Sequence, residues 1–426
     1  MSTLILVGGL LLFLLLGLPV AFALLFSSLC LILYKGALPL LILAQRLTNS
    51  LDSFPMLAIP LFILAAEIMN HSGATEKIFR LANTLVGHIT GGLAHVNVLA
   101  SMLFSGMSGS AVADASGLGL IEIKAMNDDG YDPAFSAAVT AASSTIGPII
   151  PPSVPMVIYG VISGAAIGEL FMAGILPGVL MGLAMMAYIA FISKRRGYRQ
   201  KSRRASAREI GRVFIESLPT VMLPVIILGG IWGGIFSPTE AAAVAVIYAL
   251  ILGVVVDRSV KLSMIPRLLR QAGASTAAIM LIVAAAALYG WLVSTEQIPQ
   301  MIRESMLSLT HDPIWLMLII NVILLVMGMF MELIAILTIA VPVFLPVMDA
   351  VGVDPVYFGV VVVLNLMIGL LSPPFGINIF ILQKISGVPF GAIVRELMPF
   401  IYVLIGTLVL MTVFPKFVLL VPHLMH

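Results

Sequence analysis

The chain has 426 residues, of which 61% are hydrophobic and 10% charged, with a net charge of +2 and a mean hydropathy of +1.15. A soluble domain is about 45–50% apolar and about 25% charged, so these values exclude one and point to a polytopic membrane protein; the long unbroken apolar runs exclude a β-barrel, whose strands alternate apolar and polar residues. The small net charge offers no nucleic-acid face, and Cys30, the one cysteine, permits no intramolecular disulfide.

The first apolar run, Leu4 to Leu33, exceeds the roughly 7–15-residue core of a signal peptide and is predicted as one retained, tilted spanning helix bent at Gly17 and Pro19. A crossing needs about 20 apolar residues. Further spans are predicted at 55–71, 168–192, 214–236, 240–256, 275–293 and 397–420, with amphipathic connectors at 37–50 and 262–272 that suit the membrane interface. Residues 92–126 are apolar but broken by Ser105-Gly106-Met107-Ser108-Gly109-Ser110, and residues 313–350 are broken near Gly328-Met329-Phe330-Met331-Glu332. Each half, about 15–18 residues, is marginal for a crossing, which predicts two re-entrant hairpins. Regions 133–165 and 355–386 are long enough to cross, but Gly147-Pro148-Ile149-Ile150-Pro151-Pro152-Ser153 and Gly369-Leu370-Leu371-Ser372-Pro373-Pro374-Phe375-Gly376 interrupt them. Consecutive prolines remove donors and displace the preceding residue from the α region. Each region is therefore predicted as two half-helices joined by an extended segment, tolerable at membrane depth only inside protein or beside a wet cavity.

The two pairs share punctuation at an offset of 222 residues. Gly106-Met107 recurs as Gly328-Met329, Gly130, Asp132 and Pro133 as Gly352, Asp354 and Pro355, and Gly147, Pro151, Pro152 and Pro177 as Gly369, Pro373, Pro374 and Pro399. Only 13 of the 72 positions from 106 to 177 are identical, so a backbone plan is shared rather than a sequence. Nine basic residues between Lys194 and Arg212, including Arg199 and Lys201, fix that loop on the cytoplasmic side. Five crossings are predicted between the hairpins, an odd number that inverts the second repeat. Broken helices in corresponding places of inverted halves are the best sequence pointer to a secondary-transport site.

Chemistry is sparse. Gly106 to Ser110 form a small-residue tip whose hydroxyls and freed N–H groups suit a carboxylate, assisted by half-helix N-termini. A serine hydrolase at Ser108 fits poorly, because the nucleophile elbow needs glycine where Ser110 stands. Ser143, Ser144, Thr145, Ser153, Asn365 and Asn378 flank the breaks. Such neutral oxygens, with freed carbonyls, suit sodium rather than zinc. Ser237-Pro238-Thr239-Glu240 reads by itself as an ordinary helix start. Glu67, Asp114, Glu240 and Glu332 are charges within apolar stretches, functional candidates by default, with Glu332 at the second hairpin tip. The histidines are scattered, and no P-loop or dinucleotide fingerprint occurs.

These motifs, with Phe236-Ser237-Pro238-Thr239-Glu240-Ala241-Ala242, resemble the large membrane subunit of tripartite ATP-independent periplasmic (TRAP) transporters. The resemblance implies an all-α, inverted-repeat elevator transporter of the ion transporter superfamily, not an enzyme, in the bacterial inner membrane among its lipids. It implies sodium-coupled uptake of a small carboxylate, a small four-helix membrane partner and a periplasmic substrate-binding protein. By motif, Ser108, Ser110 and Ser153 would meet the substrate. Ser105, Gly106, Gly147, Thr239, Gly328, Glu332, Gly369 and Asn378 would hold sodium, many through backbone carbonyls; many members carry Asp at the position of Glu332. The implied division is scaffold and first arm at 1–91, transport domain at 92–165 and 313–386, scaffold, basic loop and second arm at 166–312, and a C-terminal scaffold helix at 387–426. A stand-alone sodium–carboxylate symporter is the nearest alternative, with a passive channel and an intramembrane hydrolase further off.

Overall fold

The computed structural model describes residues 1–36, 39–198 and 203–424, so Arg199 and Lys201 of the basic loop lie outside the described residues; among those described, the secondary structure is helical with no strand. Among the described residues, six helices are long and apolar enough to cross a membrane, or seven if the bent pair Leu41–Asn49 and Phe54–Asn70 counts as one span.

Both hairpins and both broken helices are present. The first hairpin is Gly92–Ser108 followed by Ala111–Ser116 and Leu118–Asp128, and the second is Pro313–Gly328 followed by Leu333–Ala350. The first broken helix is Pro133–Ser144 with Val154–Ser163, and the second is Pro355–Gly369 with Ile377–Ser386. Asp132 and Asp354, at the 222-residue offset, start the broken helices identically. Asp132 Oδ1 accepts from the N–H groups of Ala134 (2.8 Å) and Phe135 (3.1 Å), and Asp354 Oδ1 from Val356 (2.7 Å) and Tyr357 (3.1 Å). Each cap satisfies donors that a helix start leaves unpaired, with Pro at the first helical position.

Three expectations need correction. Leu4–Leu15 and Val20–Lys35 are two helices rather than one tilted span. Gly17 takes φ +81°, Pro19 interrupts the amide ladder, and the helices pack side by side, with Gly9 against Ser27. The connector 262–272 runs without interruption into the next span as Leu262–Thr295. The segments across the breaks are tight turns rather than extended chain, with Ile146, Gly147 and Ile149 N–H groups each bonded three residues back. The structure also adds two amphipathic helices, Ala74–Val86 and Ile298–Leu309, which hydropathy alone leaves unmarked.

The halves interlock. Val154–Ser163 packs on Leu333–Ala350 and Pro355–Gly369, and Ile377–Ser386 packs on Ala111–Ser116 and Pro133–Ser144, so each broken helix lends its second half to the other repeat. The exchange extends outward: Ala58–Asn70 packs on Pro238–Leu250 as Ile265–Thr295 packs on Val20–Lys35. Ile167–Arg196 and Phe390–Val413, expected among the scaffold helices, pack on each other and on the broken helices.

Burying apolar groups gives little drive for helix association in lipid, so close packing and interhelical hydrogen bonds must supply it. Asn97 donates to Thr140 (2.7 Å) and accepts from Ser143 (2.7 Å). Asn365, at the offset of Ser143, donates to Asn321 Oδ1 (2.9 Å), and Asn321 donates to Thr412 (2.9 Å). Each hairpin is thus pinned to its own broken helix by a buried asparagine. The second hairpin also meets its break backbone to backbone: a Cβ on Gly328 would lie 2.9 Å from Gly369 Cα, and one on Gly369 would lie 2.8 Å from Gly328 Cα. Gly369→Ala must push these segments apart, at a cost of about 1–3 kcal/mol. Gly406→Ala, at a helical position with nothing within 4 Å, should be neutral or mildly stabilising. Thermal melting of the purified protein is expected to show a lowered Tm for the first variant only.

Candidate functional site

The site is built where the hairpin tips meet the breaks. Gly92–Ser108 ends at Gly109, which takes φ +58°, and a Cβ there would sit 2.5 Å from the Pro152 carbonyl oxygen. Glycine is required on both counts. The chain then extends through Ser110, whose hydroxyl accepts from Ala113 N–H at 3.4 Å and starts Ala111–Ser116. A Cβ on Gly147 would lie 3.4 Å from the Ser110 carbonyl, so the first tip rests on the first break. Beyond that break, Ser153 donates to the Pro148 carbonyl (2.5 Å) and accepts from Met156 N–H (3.2 Å) to start Val154–Ser163. The Pro151–Pro152 and Pro373–Pro374 peptides are both cis.

Glu332 stands at the 222-residue offset from Ser110 and does the same local work. Its Oε2 accepts from the N–H groups of Ile334 (2.9 Å) and Ala335 (3.3 Å), capping Leu333–Ala350. A neutral hydroxyl therefore caps one hairpin arm and a carboxyl group the other.

Between the tips, the breaks and the helices Ala58–Asn70 and Ile265–Thr295 lies a cavity of about 640 Å³. Ser108, Ser110 and Glu332 line it from the tips, Pro148 and Leu370 from the breaks, and Val154 and Pro155 bring the N-terminus of Val154–Ser163 to its wall. The Ser108 hydroxyl is buried with no hydrogen-bond partner, a group left free for a ligand at the cavity wall.

The other expected site residues stand around this cavity or apart from it. Ser105 donates to the Met102 carbonyl at 2.6 Å, and a Cβ on Gly106 would lie 2.7 Å from the Pro224 side chain. Gly328 and Gly369 face each other behind the second tip. Asn378 joins the two repeats by donating to Ser144 Oγ (3.0 Å), while its Oδ1 is buried and unpartnered. Ser153 is fully buried with its hydroxyl engaged on both sides. Thr239 does not line the cavity: it donates to the Phe54 carbonyl (3.0 Å), within a helix start closed by reciprocal hydrogen bonds between Ser237 and Glu240. The structure thus gathers the tip and break residues and leaves Thr239 in a structural tie.

On the opposite wall, sequence reasoning marked only Glu67, as a charge within an apolar stretch, and missed Asn70 and His71. Glu67, Asn70 and His71 line the cavity, and His71 Nδ1 donates to the Glu67 carbonyl at 2.9 Å. A polar Glu-x-x-Asn-His ending to an apolar helix was the available signal. Among the described residues no group of three His, Cys, Asp or Glu side chains could hold a metal ion. At the tips and breaks the oxygens of Ser108, Asn365 and Asn378 are buried without a partner; all three are neutral ligands suited to a hard monovalent cation, and of them only the Ser108 hydroxyl can also donate to an organic anion.

Residues 7–417 match the family described as tripartite ATP-independent periplasmic transporter, DctM component. The chain is 46% identical over 408 residues to the sialic acid TRAP transporter large permease protein SiaM of Vibrio cholerae, covering 96% of this chain and 95% of that one. It is 38% identical over 381 residues to the C4-dicarboxylate TRAP transporter large permease protein DctM of Pseudomonas aeruginosa, covering 89% of each. Its fold is similar to the crystal structure of the YdaH transporter of Alcanivorax borkumensis, with a TM-score of 0.63 at 17% identity and 89% of each chain covered. With the apolar spans, the paired breaks and a match along nearly its whole length, the chain belongs to the DctM-component family: it is a large permease subunit of the TRAP type, a multi-pass protein of the bacterial inner membrane and a transporter rather than an enzyme.

Proposed function

We propose that this chain carries a small organic acid into the cell together with sodium, by an elevator motion, as the large subunit of a three-part system. The observation that carries the reading is the exchange of half-helices between the repeats around one cavity. Two interlocked repeats move as one body, and inverted halves supply the two equivalent faces that alternating access needs.

The packing refines the division expected from the sequence. Ile167–Arg196 and Phe390–Val413 travel with the hairpins and broken helices, because they pack on them. The remaining spans form the fixed scaffold. The cavity lies at the boundary, with Ser108 and Glu332 on the moving side and Glu67 and His71 on the fixed side. Gly106 slides past Pro224 of Ala207–Trp232, a contact that leaves no room for a side chain.

Carboxylate cargo suits the free Ser108 hydroxyl and the positive dipole end of Val154–Ser163, which reaches the cavity wall at Val154 and Pro155. Relatives named for sialic acid and C4-dicarboxylates carry cargo of this class. Sodium, carried as co-substrate, would meet Ser105, Gly106 and Gly147 on one repeat and Gly328, Gly369 and Asn378 on the other. A periplasmic binding protein would deliver the cargo, and a small four-helix membrane subunit would pack on the scaffold's exposed apolar surface.

Reconstituted with a binding protein and a small subunit, the chain is expected to accumulate a labelled organic acid under an inward sodium gradient, without ATP. Uptake that persists when potassium replaces sodium would remove the coupling, and uptake without the binding protein would favour a stand-alone symporter. Ser108→Ala is expected to raise the KM for cargo about tenfold, through loss of a hydrogen bond to a charged group. Glu332→Ala should lower stability by about 0.5–2 kcal/mol through loss of the cap. Glu332→Ser, which restores the cap found at Ser110, should recover the Tm in a melting assay.

A further inference from the structure

The outgoing arm of the first hairpin has two faces. Ala113, Ser116, Gly117 and Leu120 look onto the cavity. Asp114 and Glu122 are turned the other way, each 1% exposed. Both oxygens of Asp114 and Oε1 of Glu122 are buried without a hydrogen-bond partner, and Asp114 is close enough for its charge to act on Glu122. Ser101, on the incoming arm and also 1% exposed, has a buried hydroxyl with no hydrogen-bond partner and lies near enough to act on Asp114. Three oxygen-bearing side chains therefore converge inside the hairpin, none of them used by the reading above.

Among the described residues of the elements packed on this arm, no basic group compensates them. Gly92–Ser108 contributes only His95, buried with both ring nitrogens unpartnered. Ala74–Val86 contributes Glu76, Lys77 and Arg80, of which Lys77 pairs with Asp257 and Arg80 with Glu216. Pro133–Ser144 contributes no titratable side chain; Ile377–Ser386 contributes Lys384, and the arm itself contributes Lys124 and Asp128, with both lysines exposed. Two buried like charges without a counter-charge are not sustainable: an isolated buried carboxylate costs many kcal/mol and is found paired, protonated or coordinating a cation.

We infer that the Asp114–Glu122 pair, with Ser101, is a binding site for a small monovalent cation, a proton or a sodium ion, held within the moving body. The site backs directly onto the wall that carries Ser108 and Ser110, so its occupancy ties the two arms of the hairpin behind the cargo. It is separate from the break residues assigned to sodium above, and it rests on the transport reading only for its place in the cycle.

The test uses the full chain in lipid nanodiscs: wild type, Asp114→Asn, Glu122→Gln and the double variant. Infrared difference spectra are taken on exchanging sodium for potassium at fixed pH, and on stepping the pH at fixed sodium. A protonated-carboxyl signal in wild type that is lost in the variants identifies a proton; a sodium-dependent carboxylate signal lost in the same variants identifies sodium. The double variant should keep or raise the Tm, and its Tm response to the identified ion should shift by at least about tenfold in concentration, as for loss of a ligand-shell group. If the double variant fails to fold, Ser101→Ala, which leaves both carboxyls, should shift the same midpoint in the same assay. Spectra and melting midpoints identical in wild type and variants under both exchanges overturn the proposal. These readouts need no cargo, so loss of organic-acid uptake in a separate vesicle assay would count against the transport reading and leave this site standing.

Discussion

Everything in this fold depends on satisfying the backbone at two places where a helix stops inside the membrane. An unpaired amide or carbonyl in hydrocarbon costs several kcal/mol, so an interrupted helix survives only where protein closes over it. Here the closure is made by the other interrupted segment of the same repeat. The first tip lies on the first break, with Gly109 against Pro152 and Gly147 against Ser110, and the second tip lies on the second break through Gly328 and Gly369. Neither a hairpin nor a broken helix could stand alone, and this mutual need draws the irregular backbone into one place.

Exchange of half-helices follows from the same constraint. A half-helix of about ten residues spans only about 15 Å, half the bilayer, and its free end must be buried in something. Val154–Ser163 finds that cover on the second repeat and Ile377–Ser386 on the first. Tyr159 fixes one such contact: its ring covers Gly359, and its hydroxyl donates to the Pro355 carbonyl at 2.6 Å. The cavity then lies at the rim of the interlocked body rather than in its middle, bounded on one side by Ala58–Asn70 and Ile265–Thr295.

The sequence disclosed this plan only where the backbone is irregular. Gly328, Gly369, Asp132 and Asp354 hold geometric jobs that few residues can do, so they recur at a constant offset while the apolar residues between them drift. Ala58–Asn70 and Ile265–Thr295 also occupy corresponding places, yet no repeat shows there, because lipid accepts one large apolar side chain as readily as another. The same indifference hid the fold-back at Gly17, since hydropathy reads one long run and two packed helices alike. Ser153 and Thr239 were legible as hydroxyls beside helix starts, but a sequence does not say whether a hydroxyl caps, ties or faces a ligand. Ser110 and Glu332 make the point from the other side: no side-chain likeness links them, yet the offset and the shared capping geometry do.

That last pair bears on how a cargo would lie. A helix N-terminus attracts an anion through N–H groups that have no intrahelical partner. At Leu333–Ala350 two of those N–H groups already bond the Glu332 carboxyl, so the second tip offers an acceptor where an anion would need donors. Val154–Ser163 is capped instead by a neutral serine, and it opens on the cavity beside a Ser108 hydroxyl that has no other partner. The two repeats share a backbone but present opposite chemistry to the space between them. On the proposed reading, the anionic end of a cargo would therefore lie toward the Ser108 hydroxyl of the first hairpin rather than toward the Glu332 carboxyl of the second.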